Sequence, residues 1–154
     1  MPATSRPRPL LPHAHGFTLI EIMVVVVILA ILGTLVAPQI LSRIDEARVT
    51  KAKNDLRLYE SALDMYKMDN FKYPTGEEGL QALVQKPNDP NLTNWRADGY
   101  VKQLVKDPWG HDYVYVTPGT NGAPYDLYTL GADGQPGGSG LDADIYSREM
   151  TRPQ

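Results

Sequence analysis

Residues 17–37 read FTLIEIMVVVVILAILGTLVA, an apolar run whose one charge is Glu21. As a helix rising 1.5 Å per residue it matches a hydrocarbon core of about 30 Å. A buried core helix would need protein on every side, and 154 residues offer too little to surround it. A secretory signal would end in small residues before a cut after the run. Here Ala37 is followed by Pro38, and the small-x-small pattern is absent. The polar leader lies before the run instead: MPATSRPRPLLPHAHG carries Arg6 and Arg8, four prolines and no acid. Such a segment reads as unstructured, and its positive charge holds the N-terminus in the cytoplasm. Everything after Pro38 is then expected across the membrane.

Glu21 is the anomaly in the run. A carboxylate at membrane depth costs roughly 2.5–3.5 kcal/mol on insertion scales, so it either snorkels near the helix end or has a partner. Nothing basic lies within helical reach before Gly16, so no salt bridge within the chain is on offer. The rest of the composition narrows the field. Fifteen Lys and Arg against 18 Asp and Glu give a net charge of −3, which disfavours a nucleic-acid partner. The absence of cysteine excludes disulfides, thiolate zinc sites and a Cys nucleophile.

Beyond Pro38 the pattern stays helical but turns charged. Ala52, Leu56, Tyr59, Leu63 and Tyr66 fall at alternating spacings of four and three, one stripe of an amphipathic helix. Charged residues from Arg43 to Glu60 cover the remaining faces, as a solvated or inter-subunit surface. The spacing predicts one helix from about Thr18 to Met68, weakest at Gly33 and Pro38 and bent at the proline, which lacks an N–H.

After Asn70 the composition changes, and 11 of the 13 glycines lie from Gly76 onward. Thr75 with Glu78 fits a capping box, which predicts a short helix through Gln85, stopped by Pro87. Residues 88–99 read as a loop over Trp95. His111–Val116 (HDYVYV) and Tyr125–Leu130 (YDLYTL) read as an antiparallel hairpin joined by Thr117–Pro124. The stretch Gly131–Ile145, GADGQPGGSGLDADI, holds five Gly and three Asp in 15 residues. It is either a plain polar loop or a calcium loop, since calcium takes six to eight carboxylate and carbonyl oxygens. Asp133, Asp142 and Asp144 are the candidate carboxylates. The EF-hand pattern fails at Gln135 and Gly137, and a β-helix calcium repeat fails at Asp144.

Gly16-Phe17-Thr18-Leu19-Ile20-Glu21 resembles the prepilin cleavage motif of type IV pilins and type II secretion pseudopilins. The head resembles the major pseudopilin subgroup through Tyr73-Pro74-Thr75, Glu78–Leu83, Gly99-Tyr100, Lys106–Gly110, Tyr125–Tyr128, Leu130–Gly134 and Asp142–Ile145. It departs where His111-Asp112 replaces the usual Asn-Pro, in the tail Tyr146–Gln154, and in its long proline-rich leader. The resemblance implies an α+β, type IV pilin-like fold: a long N-terminal helix, transmembrane in its first half, packed on a small antiparallel sheet with a calcium loop. The implied order is a cleaved leader at 1–16, a transmembrane and polymerisation helix at 17–38, a periplasmic amphipathic helix at 39–70, and the head at 71–154. A prepilin peptidase would cut between Gly16 and Phe17 and methylate the new N-terminus. Glu21 would neutralise the terminal amine of a neighbouring copy, a group largely cationic near neutral pH. Helix melting around Pro38 would accompany assembly.

For calcium, the resemblance implies Asp133 and one or both of Asp142 and Asp144, completed by carbonyls near Leu130 and Gln135. The function implied is a homopolymeric pseudopilus in the periplasm, anchored in the inner membrane, that helps export folded proteins. Minor pseudopilins and an inner-membrane assembly platform would be its partners. Two rivals share the stem: a type IV pilin, often closed by a disulfide that this chain cannot form, and a minor pseudopilin. A membrane-anchored periplasmic enzyme is a third. It would rest on His111 alone after cleavage, without a Gly-x-Ser-x-Gly elbow, or on an acid pair in a head too small for a saccharide cleft.

Overall fold

The computed structural model describes residues 16–150, with the side chains of 34–41 outside the description. The expected leader therefore lies outside the described residues up to residue 15, as do the side chain of Pro38 and the bend expected there. One α-helix, α1 (Leu19–Asn70), accounts for the stem; the sequence placed its ends within two residues. The chain divides into two compact units, residues 1–41 and 42–154, which are taken in turn.

In the first unit α1 opens on a capping box that the sequence reading missed. The Glu21 N–H donates to Thr18 Oγ1 at 3.3 Å, and the Thr18 N–H donates to Glu21 Oε2 at 3.4 Å. Phe17 and the large apolar side chains from Leu19 to Leu32 are all exposed. Among the described residues no helix is long and apolar enough to cross a membrane. The described side chains of the apolar run at the start of α1 stop at residue 33, short of the roughly 20 residues that a span needs.

In the second unit the stripe is buried. Ala52, Leu56, Tyr59, Ala62, Leu63 and Tyr66 are at most 1% exposed, and each large side chain contributes about 1.5–3 kcal/mol by leaving water. The opposite faces carry ion pairs Arg43–Glu46 and Arg48–Asp45, which are solvated and add little, while Lys51 pairs with Asp55, half-buried against the head. Tyrosines lock the head to the stem. The Tyr59 hydroxyl accepts the Val105 N–H at 2.8 Å, Tyr113 donates to Asp55 at 2.8 Å, and the Tyr59 and Tyr113 rings meet edge-on.

The Thr75–Glu78 capping box forms, with the Thr75 N–H donating to Glu78 Oε2 at 2.8 Å. The helix it was expected to start is a 3-10 turn, Gly79–Leu83. Gly79 takes a left-handed φ of 55°, which ends an α-helical turn before it can propagate. Leu80, Ala82 and Leu83 still reach the core, and Trp95 donates its Nε1–H to the Ala82 carbonyl at 2.9 Å.

The hairpin consists of β1 (Val114–Val116) and β2 (Asp126–Thr129), antiparallel with Tyr115 opposite Leu127. A third strand, β3 (Ile145–Tyr146), pairs antiparallel with β2 and was not anticipated. Thr129 faces Ile145 across that pairing, so β2 and β3 pin both ends of the Asp/Gly stretch. It is the connection between two adjacent strands.

Candidate functional site

The Asp/Gly connection folds back on itself through backbone bonds. The Ala132 N–H donates to the Leu141 carbonyl at 2.9 Å, and the Asp144 N–H donates to Gly137 at 3.1 Å. Gly138 is required here: a Cβ on it would lie 2.4 Å from the Asp142 carbonyl oxygen. The three candidate carboxylates have different surroundings. Asp133 is exposed and its Oδ1 accepts the Gln135 N–H at 3.0 Å, a turn that shapes the backbone around Gln135. Asp142 is exposed beside Gly138. Asp144 is half-buried just before β3; its Oδ2 accepts the Gly137 N–H at 3.0 Å, while its Oδ1 is buried with no hydrogen-bond partner. Leu130 directly follows β2. Among the described residues no three acidic or histidine side chains gather into a metal-holding group. Any cation here would therefore lean on backbone carbonyls as much as on carboxylates. The shielded, unpartnered Asp144 oxygen and the all-oxygen donor set fit a hard divalent ion.

The loop has a brace that sequence reasoning did not find. Asp107 is buried, and its carboxylate accepts three hydrogen bonds: from the N–H groups of Trp109 at 3.0 Å and His111 at 2.8 Å, and from Thr129 Oγ1 at 2.5 Å. This fixes the Asp-Pro-Trp-Gly turn against β2. His111, held by that turn, sets Nδ1 at 3.2 Å from the Gly131 carbonyl, and its ring lies over Gly134, where a Cβ would meet Nε2 at 2.8 Å. The signal available in sequence was a single histidine, with nothing to say which loop it would reach.

At the other candidate site, Gly16 and Phe17 are exposed, and a Cβ on Gly16 would have open space. Glu21 is exposed one turn into α1, where its carboxylate caps the helix start.

A long capped helix that buries a single stripe under a three-stranded antiparallel sheet, with its opening apolar turns uncovered, defines a pilin-like subunit. The comparisons agree. The family described as "Type II secretion system (T2SS), protein G" matches residues 39–148, and the "Prokaryotic N-terminal methylation motif" matches residues 11–37. A type II secretion system core protein G of Pseudomonas aeruginosa is 62% identical over 84% of this chain and 92% of its own length. Its counterpart from Vibrio cholerae is 55% identical over 84% of this chain and 88% of its own length. The crystal structure of the major pseudopilin from the type 2 secretion system of enterohaemorrhagic Escherichia coli superposes with a TM-score of 0.58 at 44% identity. It covers 69% of this chain and 90% of that one. The chain belongs to the type II secretion system protein G family, whose members are the major structural subunits of the secretion pseudopilus.

Proposed function

We propose that the chain is cut between Gly16 and Phe17 on the cytoplasmic face and held in the inner membrane by residues 17–38. It then polymerises, with its head in the periplasm, into a pseudopilus that helps export folded proteins. The observation that carries this reading is the uncovered apolar surface of Phe17–Leu32. A surface of that size in water marks a lipid or protein contact. The matched methylation motif supports the cut and the modification of Phe17 by a prepilin peptidase. The role is structural rather than catalytic, and the polymer works with minor pseudopilins and an inner-membrane assembly platform.

Glu21 takes the terminal amine of a neighbouring copy, offsetting two desolvation costs at once in a dry filament core. Glu21→Val tests this. The substitution removes an insertion cost of a few kcal/mol, so the protein still enters the membrane and is still cut. Filaments should be lost, because the neighbour's amine is left charged and unpaired. Normal filament yield from Glu21→Val would refute the pairing.

The loop takes calcium through the Asp133 carboxylate, one or both of Asp142 and Asp144, and carbonyls near Leu130 and Gln135. A bound divalent cation supplies charge neutralisation and binds only the folded loop, which adds about 2.7 kcal/mol at a hundredfold its dissociation constant. Asp144 contributes the oxygen that lacks a protein donor, and Gly138 lets the Asp142 carbonyl approach. Melting of the processed chain in detergent is expected to rise with calcium, to rise little with magnesium, and to lose the rise in Asp133→Ala. Coincident curves in calcium, magnesium and chelator would leave only a polar loop.

A further inference from the structure

The end of α1 carries a feature that folding by itself does not ask for. Phe71 follows the last helical residue with φ 60°, its N–H donating to the Lys67 carbonyl at 2.7 Å, and its side chain is 85% exposed. That left-handed closing position ordinarily takes Gly or Asn, and a bulky aromatic there is an outlier. Its neighbours are tied down. The Asn70 amide donates to the Tyr66 carbonyl and the Tyr100 hydroxyl, and Lys72 pairs with Asp89. Met68 is also 66% exposed. Two large apolar side chains are thus held in solvent on a fixed backbone. Beside them, Lys67 lies over the Tyr73 ring and has no ion-pair partner among the described residues.

The same compact unit carries a complementary recess. It measures about 300 Å³ and is lined by Tyr59, Leu80, Leu104 and Tyr113 together with two acids, Glu78, which accepts the Thr75 N–H, and Asp112, which pairs with Lys106. Leu104 leaves 38% of its surface uncovered there. An aromatic tip beside a lysine meets an apolar floor with acids around it.

We propose that Phe71 inserts into this recess on a second copy of the chain, as the aromatic anchor of the contact between successive subunits. The inference rests on the polymerisation reading above and names the surface that carries it. Between stems that run parallel, a tip and a recess at different heights along α1 meet only after a shift along the axis, so the contact is heterologous and propagates instead of closing on itself, the arrangement that yields filaments. Stems anchored at one membrane share one direction. Tyr59 precedes Phe71 by about a dozen residues, roughly 18 Å of helix, so a copy displaced along the stem by up to that distance brings recess and tip level.

Phe71→Asn separates assembly from folding, because Asn suits the left-handed backbone. The processed full chain in detergent should melt at an unchanged or higher temperature, while its filament yield by electron microscopy falls at least tenfold. Leu104→Asp should lose filaments to the same extent. The chain has no native cysteine, so Met68→Cys beside the tip combined with Gln81→Cys in the recess wall, which keep Phe71 and Leu104 in place, can be joined by a short bis-maleimide. A ladder of multimers from the double variant, absent from either single one, is the expected result. Normal filaments from both Phe71→Asn and Leu104→Asp overturn the contact. Lost filaments without a ladder overturn the recess as the place where Phe71 docks. A lowered melting temperature for Phe71→Asn assigns the residue to folding and overturns the proposal. If the unaltered chain forms no filaments, the polymerisation reading fails first, and the contact with it.

Discussion

Residues 19–32 and residues 52–66 belong to one helix, are both rich in large apolar side chains, and meet opposite fates. In the first stretch those side chains are 46–78% exposed; in the second the stripe from Ala52 to Tyr66 is at most 1% exposed. Arrangement makes the difference. Around Val24–Leu29 apolar residues point in every direction, whereas around Leu56–Tyr66 all but the exposed Leu58 share one face and leave charges on the others. A single face can be satisfied by a head folding back from the same chain. A helix apolar all round cannot, and its partner has to be lipid or further copies.

The sharpest way to break the comparison is to truncate one leucine or isoleucine in each stretch. Leu63→Ala, at a fully buried position, is expected to cost about 2–5 kcal/mol in denaturant unfolding of the detergent-solubilised chain. Ile28→Ala should leave that unfolding curve where it was and act on assembly alone. Equal effects on the curve would mean that the first stretch is packed within the chain after all.

Asp107→Asn comes next, at about 1–3 kcal/mol, because one of the three donors around the buried carboxylate then faces an amide N–H. It should also loosen the His111 brace. Amide exchange at Ala132, whose N–H crosses the loop to Leu141, should therefore speed up in chelator, with no metal involved. An unchanged exchange rate at Ala132 would separate the Asp-Pro-Trp-Gly turn from the loop.

Local patterns carried the stem and hairpin into the sequence reading. The four-three spacing of Ala52 to Tyr66 places the buried face, and the β-branched and aromatic runs place β1 and β2, each narrower than the run that announces it. What escaped was made by distant contacts or by single backbone angles. Ile145-Tyr146 is too short to show alternation and becomes a strand because β2 offers Thr129 and Tyr128 to pair with. Gly79 turned an expected helix into a 3-10 turn through one positive φ. The Asp/Gly loop was legible as a candidate site, since its composition is local. Its unequal carboxylates were not, because burial of one Asp144 oxygen and the reach of His111 depend on what folds around them. Thr18-x-x-Glu21 is a local capping signal, masked in sequence by the oddity of a lone charge in an apolar run.

Alkali gives a smaller and more distributed effect, confined to the packed region. Burial pushes Tyr73 and Tyr115 up to about 12, helped at Tyr73 by the hydrogen bond from its hydroxyl to Asp64. In the unfolded chain both ionise near 10. The folded state therefore keeps protons that the unfolded state sheds. The stability they contribute is whole below about pH 10 and is lost as pH rises from there through 12. Tyrosinate absorbance should appear together with loss of structure in that window, and Tyr73→Phe should flatten the slope. Simple titration near pH 10 with the fold intact would show these hydroxyls to be solvated.

The finest test uses a device that both regions share. Thr18 and Glu21 make one capping box and Thr75 and Glu78 another, each with the acid's N–H donating to the threonine hydroxyl at 3.3 Å. Thr75→Ala should cost about 1 kcal/mol of head stability, with Thr75→Ser recovering most of it. The turn it caps delivers Leu80, Ala82 and Leu83 to the core, so its fraying is felt by everything packed there. Thr18→Ala removes the same bond from a helix start whose side chains, among the described residues, are exposed. There the loss should remain local: faster amide exchange at Glu21 and Ile22, with head melting unchanged. Thr18→Ala also removes the hydroxyl that the Glu21 N–H now uses, without touching the Glu21 carboxylate. If that carboxylate serves a neighbouring amine, filament yield should fall far less than in Glu21→Val. A shift in head melting from Thr18→Ala would mean that the two lengths of helix are coupled, and the contrast between them would have to be redrawn.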